Sequence, residues 1–169
     1  MRFRRAALLA AASAVVLAGC ATADPDPGPS LVGDRGRICD ERVDAAKAQA
    51  VVESPVSGLR ELTTFEPGRR AGECVLQGED GGALLSVQVV HDPKGSALSK
   101  ELEKLSQTDN YTGDKRSGVT GEEPTTTALV AIDANDYVRV LGLGGTSDEQ
   151  RRAALALAED VATLTKPLS

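Results

Sequence analysis

The sequence predicts an α+β domain: an antiparallel sheet of about five or six strands with helices packed on one face, in a single domain. Apolar residues recur at three- and four-residue spacing in three separate segments, which indicates helices. Alternating or β-branched runs between those segments indicate strands, and short turns join neighbouring strands, which favours antiparallel pairing. The 169 residues amount to about one domain.

The first helix is predicted over residues 40–54, with Asp40 as its N-cap. Pro55 ends it, because the residue before a proline avoids the helical region. Residues 59–65 alternate weakly between apolar and polar side chains and are predicted as a strand, followed by a turn at residues 66–68.

Two further strands are predicted at residues 74–77 and 83–91, and the second is apolar and β-branched enough for a central position. Residues 96–106 are predicted as a helix with its leucines on one face. Residues 109–124 are polar and contain glycine, so we expect an exposed loop with a short strand near Tyr111.

The C-terminal part of the sequence has the clearest signals. Residues 125–132 and 137–143 are predicted as a β-hairpin with a short polar turn. Ser147 and Gln150 have the spacing of a capping box, which predicts the start of the last helix. Pro167 is expected to end that helix.

The N-terminus predicts export. A start rich in arginine precedes an uncharged, mostly apolar run over residues 6–19, which is shorter than the roughly 20 residues that a spanning helix needs. The run ends in Leu17-Ala18-Gly19-Cys20, which resembles a bacterial lipobox. This resemblance implies a signal peptide over residues 1–19, cleavage before Cys20 and a diacylglyceryl thioether on its sulfur. An ordinary secretory signal with an incidental cysteine is the alternative.

Residues 20–37 are predicted to be the lipidated cysteine and a proline-rich tether, with Pro25, Pro27 and Pro29 in a polar context. The globular domain is then expected at residues 38–169. This organisation predicts a protein on the outer face of the cytoplasmic membrane, held to the bilayer through the lipid on Cys20.

The three cysteines are an odd number, which lipidation of Cys20 explains. Cys39 and Cys74 remain, and an oxidising compartment favours a disulfide between them. Two free thiols or two metal ligands are the alternatives, although a metal site needs further donors and the chain has a single histidine.

Charge argues against nucleic acid as a partner. The net charge is −6, and removal of residues 1–19, with three arginines and no acid, changes it to −6 − 3 = −9. A body this acidic repels phosphate backbones. The glycines of residues 142–145 follow a predicted strand, but Ser147 stands where a dinucleotide fingerprint needs its third glycine. We therefore predict no nucleotide cofactor.

The sequence offers no catalytic set. His91 could act as a general base, but neither a G-x-S-x-G nor an S-x-x-K motif supplies a nucleophile. The acids of residues 133–136 provide too few oxygens for calcium, so no metal site is predicted. We expect a non-enzymatic binding or interaction domain with no cofactor. The alternatives are a carrier that holds a small apolar ligand between the sheet and its helices, and a hydrolase with a carboxylate site.

The order of these parts resembles that of actinobacterial Cys-anchored envelope lipoproteins of uncharacterised function. The resemblance rests on Leu17-Ala18-Gly19-Cys20, Cys39 ahead of Asp44-Ala45-Ala46, Cys74, and the closing helix from Arg152-Ala153-Ala154 to Ala158-Glu159. This chain has Leu76 where those relatives typically carry tryptophan, and it lacks a second cysteine pair in its C-terminal half. The resemblance implies an envelope location and assigns no catalytic residue.

Overall fold

The computed structural model describes residues 36–63 and 72–165, so the predicted signal peptide, Cys20 and the tether up to residue 35 lie outside it. The elements in chain order are β1 Arg37–Ile38, β2 Val43–Asp44, α1 Ala45–Val51, β3 Gly58–Thr63, β4 Gly72–Gln77, β5 Ala83–His91, α2 Ala97–Leu105, β6 Thr112–Gly113, β7 Ser117–Glu122, β8 Thr125–Ala131, β9 Asp136–Leu143 and α3 Asp148–Leu164. Within these ranges, no helix is long and apolar enough to cross a membrane.

The main sheet has seven strands in the order β3-β4-β5-β9-β8-β7-β6, and every neighbouring pair is antiparallel. The α+β class is thereby confirmed, with seven strands where the sequence predicted five or six. The additional strand is β7, which falls in the predicted loop. Its glycines, Gly118 and Gly121, weaken the strand signal, whereas a continuous ladder from Ser117 opposite Val130 to Glu122 opposite Thr125 forms the strand.

The helices lie on both faces of the sheet, so the prediction of a single helical face is wrong for α2. α1 and α3 cover the face on which Val138 and Val140 are buried. α2 covers part of the other face, where its Leu102 packs against Leu129 and Tyr137. Since β8 and β9 carry large apolar or aromatic side chains at alternate positions on both faces, both faces must be covered.

α1 begins at Ala45 rather than at Asp40, because the preceding residues form a left-handed turn. Cys39, Asp40 and Glu41 have φ values of 53°, 53° and 60°, which no right-handed helix accommodates. Asp44 is the N-cap, and its carboxylate accepts a hydrogen bond from the backbone N–H of Lys47 at 3.0 Å. The sequence prediction of Asp40 as the cap is therefore wrong.

The predicted disulfide between Cys39 and Cys74 is confirmed, with the two Cα atoms 6.1 Å apart. Both cysteines are buried in the principal core. The bridge fastens the left-handed turn to β4 and thereby fixes the position from which α1 starts.

An ion cluster joins the start of the described chain to α3. The carboxylate of Asp160 lies 2.9 Å from Nζ of Lys47 and 3.0 Å from the guanidinium of Arg37. Burial raises the pKa of Asp160, but the hydrogen bonds and charges of Lys47 and Arg37 outweigh it and hold that pKa below its usual value. Arg37, the last residue of the predicted tether, is thus attached to the domain.

α1 approaches β9 closely at Gly142, and we predict that Gly142→Ala destabilises the domain. A Cβ atom there would lie 2.7 Å from Cγ1 of Val51, so this buried side chain, or the helix that carries it, would have to shift. We expect a loss of about 1–3 kcal/mol in the free energy of unfolding, measured by urea denaturation. Gly36→Ala is the control, since no atom lies within 4 Å of its added methyl group. Equal stability of the two variants would contradict this packing.

Removal of the disulfide should also destabilise the domain. The bridge closes a loop with a sequence separation of 35, for which we expect Cys74→Ser to cost about 2–4 kcal/mol of unfolding free energy. A thiol reductant should lower the melting temperature of the wild type and leave that of the variant unchanged. Equal melting temperatures of the oxidised and reduced wild type would refute a stabilising role.

Candidate functional site

A cleft of about 450 Å³ opens where β9 leads into α3. Its walls are the loop of residues 144–147, Gln150 of α3, Glu123 and Pro124 of the turn between β7 and β8, and Glu53, two residues beyond α1. Three segments that are distant in sequence therefore build one concave site at this end of the sheet.

Hydrogen bonds fix the loop that forms one wall of the cleft. The backbone N–H of Gly144 donates to the carbonyl of Pro124 at 2.9 Å. The hydroxyl of Thr126, which is buried on β8, donates to the carbonyl of Gly145. A guanidinium N–H of Arg151 donates to the carbonyl of Thr146 at 2.8 Å. Because these bonds form within the chain, the wall is in place before any ligand binds.

The predicted capping box between Ser147 and Gln150 is confirmed, and it fixes the orientation of the Gln150 amide. The backbone N–H of Ser147 donates to Oε1 of Gln150 at 3.0 Å, and the hydroxyl of Ser147 donates to the same oxygen at 2.9 Å. A backbone N–H can only donate, so the atom facing it must be Oε1. The Nε2 group consequently points away from Ser147.

The Nε2 group of Gln150 lies at the wall of the cleft beside Gly145. A Cβ atom at position 145 would lie 1.8 Å from Nε2, so only glycine leaves room for this amide. Gln150 is 7% exposed, and within the described part of the chain its Nε2 donates no hydrogen bond. The cleft wall therefore presents the two N–H groups of the Gln150 amide, held in one orientation and available to donate hydrogen bonds to a ligand.

The end of the sheet that holds the cleft is acidic. Glu53 and Glu123 are exposed and line the cleft itself. Five further acids stand in the turns and helix start at the same end: Glu79, Asp80, Glu122, Asp148 and Glu149. The first turns of α3 also carry two arginines, Arg151 and Arg152, and Arg151 is paired with Asp148. The cleft therefore favours positively charged groups and disfavours phosphates.

The glycines of this loop are visible in the sequence and do not match a dinucleotide fingerprint, but the sequence alone does not predict the cleft. Glu53 and Glu123 stand 70 positions apart (123 − 53), and only the fold brings them to one site. The capping box was the one local signal for a fixed polar side chain here.

A second polar cluster lies on the face that carries α2. The hydroxyl of Tyr137 donates to Oε1 of Glu101 at 2.9 Å, and Arg139 forms an ion pair with the same carboxylate. Arg139 also donates to Oε1 of Gln88 at 3.3 Å, and Gln88 donates to Glu73 at 2.8 Å. These bonds join β4, β5, β9 and α2.

The environment of Tyr137 keeps its hydroxyl neutral. Burial, together with the hydrogen bond to Glu101 and the charge of Glu101, raises the pKa of Tyr137 to about 12. The pKa of Arg139 is also raised, because the hydrogen bond and the charge of Glu101 outweigh the opposing effect of burial. Tyr137 therefore acts as a hydrogen-bond donor within the fold at neutral pH.

His91 and Asp92 are both engaged in structural contacts. Nδ1 of His91 lies 2.6 Å from Oδ1 of Asp136, which is buried, and this contact holds the end of β5 to the start of β9. The Asp92 carboxylate accepts hydrogen bonds from the backbone N–H groups of Ser96 and Ala97, both at 2.6 Å. Backbone hydrogen bonds from Ala97, Lys94 and Ser96 lower the pKa of Asp92.

The remaining predicted site residues lie away from the cleft or outside the described chain. Cys39 and Cys74 form the buried bridge, and Cys20 lies in the part that the structure does not describe. Among residues 36–63 and 72–165, no group of three or more His, Cys, Asp or Glu side chains is placed to hold a metal ion. Searches for a matching protein-family model and for a curated relative found no match.

We predict that the Tyr137 hydroxyl makes stability depend on alkaline pH. Since its pKa is about 12 in the folded state and 10.0 in its unperturbed state, the stability present below pH 10 should decline as the pH rises towards 12. Urea denaturation between pH 9 and pH 12 should show a smaller decline for Tyr137→Phe than for the wild type. Tyr111→Phe is the control: burial and the charge of Asp114 also raise the pKa of this less buried tyrosine, so its removal should change the decline less than Tyr137→Phe does. Identical declines for the wild type and Tyr137→Phe would contradict the assignment.

Proposed function

We propose that this protein is an extracytoplasmic lipoprotein, anchored to the membrane through Cys20, whose α+β domain binds a partner and catalyses no reaction. The lipobox-like Leu17-Ala18-Gly19-Cys20 and the proline-rich segment that follows support the anchor. The buried disulfide supports an oxidising compartment.

The position of the cleft is the observation on which the binding function rests. Gln150 and Asp160 lie ten residues apart on α3, a separation of about 15 Å along the helix axis. Arg37, at the start of the described chain, contacts Asp160, whereas Gln150 lines the cleft. The binding site thus lies at the end of the domain away from the attachment of the predicted tether, where a partner can reach it.

The apolar layer buried between the sheet and α3 favours surface binding over carriage of an apolar ligand. Val87, Val138, Val140, Leu157 and Val161 meet between the sheet and α3 and are each below 2% exposed. None of them lines the cleft or the other surface depressions of about 280–510 Å³. A carrier would need its apolar cavity in this layer.

His91 and Tyr137, two side chains that could transfer protons, take part in structural contacts, which supports binding without catalysis. His91 is paired with Asp136, and the Tyr137 hydroxyl donates to Glu101. Neither residue lines the cleft at the end of α3. A general acid or base must reach the atom that it protonates or deprotonates, so these two residues are placed for structural roles.

We predict that Cys20→Ala abolishes lipid attachment and the cleavage that goes with it. In cells fed a radiolabelled fatty acid, the wild-type chain should carry the label, run as the cleaved form and sediment with membranes, whereas the variant should be unlabelled and should either remain as the uncleaved precursor or be released from the membrane. Loss of the sulfur removes the only atom that can form the thioether at this position.

Thr22→Ala is the matched control, because it changes the residue two positions further along and keeps the lipobox-like sequence. It should behave like the wild type. If Cys20→Ala left labelling, processing and membrane retention unchanged, the proposed anchor would be wrong.

A further inference from the structure

We propose that the cleft at the start of α3 binds a basic segment of a partner protein. The amide Nε2 of Gln150 donates to a backbone carbonyl of that segment, and Glu53 and Glu123 accept hydrogen bonds from its lysine or arginine side chains. This inference names the ligand class of the site and rests on the proposed binding function.

The Gln150 amide indicates a ligand with an acceptor oxygen. Its Oε1 is committed to Ser147, and the side chain is more than nine-tenths buried, so it cannot turn without breaking the capping box. Nε2 reaches the solvent of the cleft, and a ligand that displaces this water must supply an acceptor, such as a carbonyl oxygen, to replace the lost hydrogen bond. Peptide groups offer such oxygens at every residue.

The carboxylates indicate that the same ligand is cationic. Glu53 and Glu123 approach the cleft from two separate elements, and the surrounding turns add five more acids. Among residues 36–63 and 72–165, no lysine or arginine lines the cleft. Charge complementarity therefore favours ammonium or guanidinium groups and opposes phosphates and nucleotides.

The size of the cleft favours a peptide segment over a bare ion. A volume of about 450 Å³ accommodates a long side chain together with neighbouring peptide groups. A peptide supplies a carbonyl acceptor and a cation in one molecule, whereas a metal ion or a simple polyamine offers no acceptor to Nε2 of Gln150.

Nuclear magnetic resonance can test this proposal on the full chain. The ¹⁵N-labelled protein, solubilised in dodecyl maltoside, is titrated with the capped pentapeptide Gly-Arg-Gly-Arg-Gly. We expect the largest shifts at the backbone amides of residues 144–150 and at the side-chain amide of Gln150. The same peptide with citrulline in place of arginine, which has no charge, should bind at least tenfold more weakly.

Gln150→Glu separates donor recognition from simple charge attraction. Glutamate at this position retains the capping box, so the fold should persist, but it replaces the NH₂ group with a carboxylate oxygen. We expect at least tenfold weaker peptide binding despite the added negative charge. The double variant Glu53→Gln/Glu123→Gln should weaken binding by at least tenfold, whereas Glu159→Gln, an exposed acid in the C-terminal half of α3, should leave it unchanged.

Three results would overturn the proposal. The first is equal or tighter binding by Gln150→Glu, and the second is a set of shifts spread over acids at both ends of the domain. The third is spermine or calcium binding the cleft as tightly as the peptide. The experiment uses purified protein, so its failure would leave the Cys20 result intact, and failure of the anchor would leave peptide binding intact.

Discussion

The capping box between Ser147 and Gln150 is the interaction on which both the last helix and the cleft depend. It satisfies donors at the first turn of α3, which then packs across β8 and β9. The same contact turns Nε2 of Gln150 towards Gly145, where the glycine leaves it room. One local motif therefore starts a principal helix and presents a fixed polar group at the surface.

The rest of the domain fixes the position of the loop and the helix start that form the cleft. The Cys39–Cys74 bridge fixes the turn before α1, and α1 packs against β9 at Gly142 and beside α3. Asp160 connects α3 to Arg37 and Lys47 near the opposite end of that helix. The two helices thus lie at fixed positions along one face of the sheet, with the cleft at one end and the start of the described chain at the other.

Local signals made much of the fold predictable. The strands β4 and β5, the hairpin of β8 and β9, the capping box and the disulfide all depend on residues whose preferences agree with their surroundings. The strand β7 was missed because its glycines lower strand propensity and only its ladder with β8 compensates. α1 was predicted to begin too early because the left-handed turn at Asp40 carries no glycine to signal it. The cleft could not be predicted, since Glu53 and Glu123 meet Gln150 only through tertiary structure.

The most direct test of this account is the orientation of the Gln150 side chain in solution. Nuclear Overhauser contacts of its two amide protons can be measured in the unliganded protein at neutral pH. We expect contacts from these protons to the α-protons of Gly145 and slow rotation of the side chain. Contacts to the amide proton of Ser147 instead, or averaging over several rotamers, would show that the capping box does not orient this amide and would contradict the central claim.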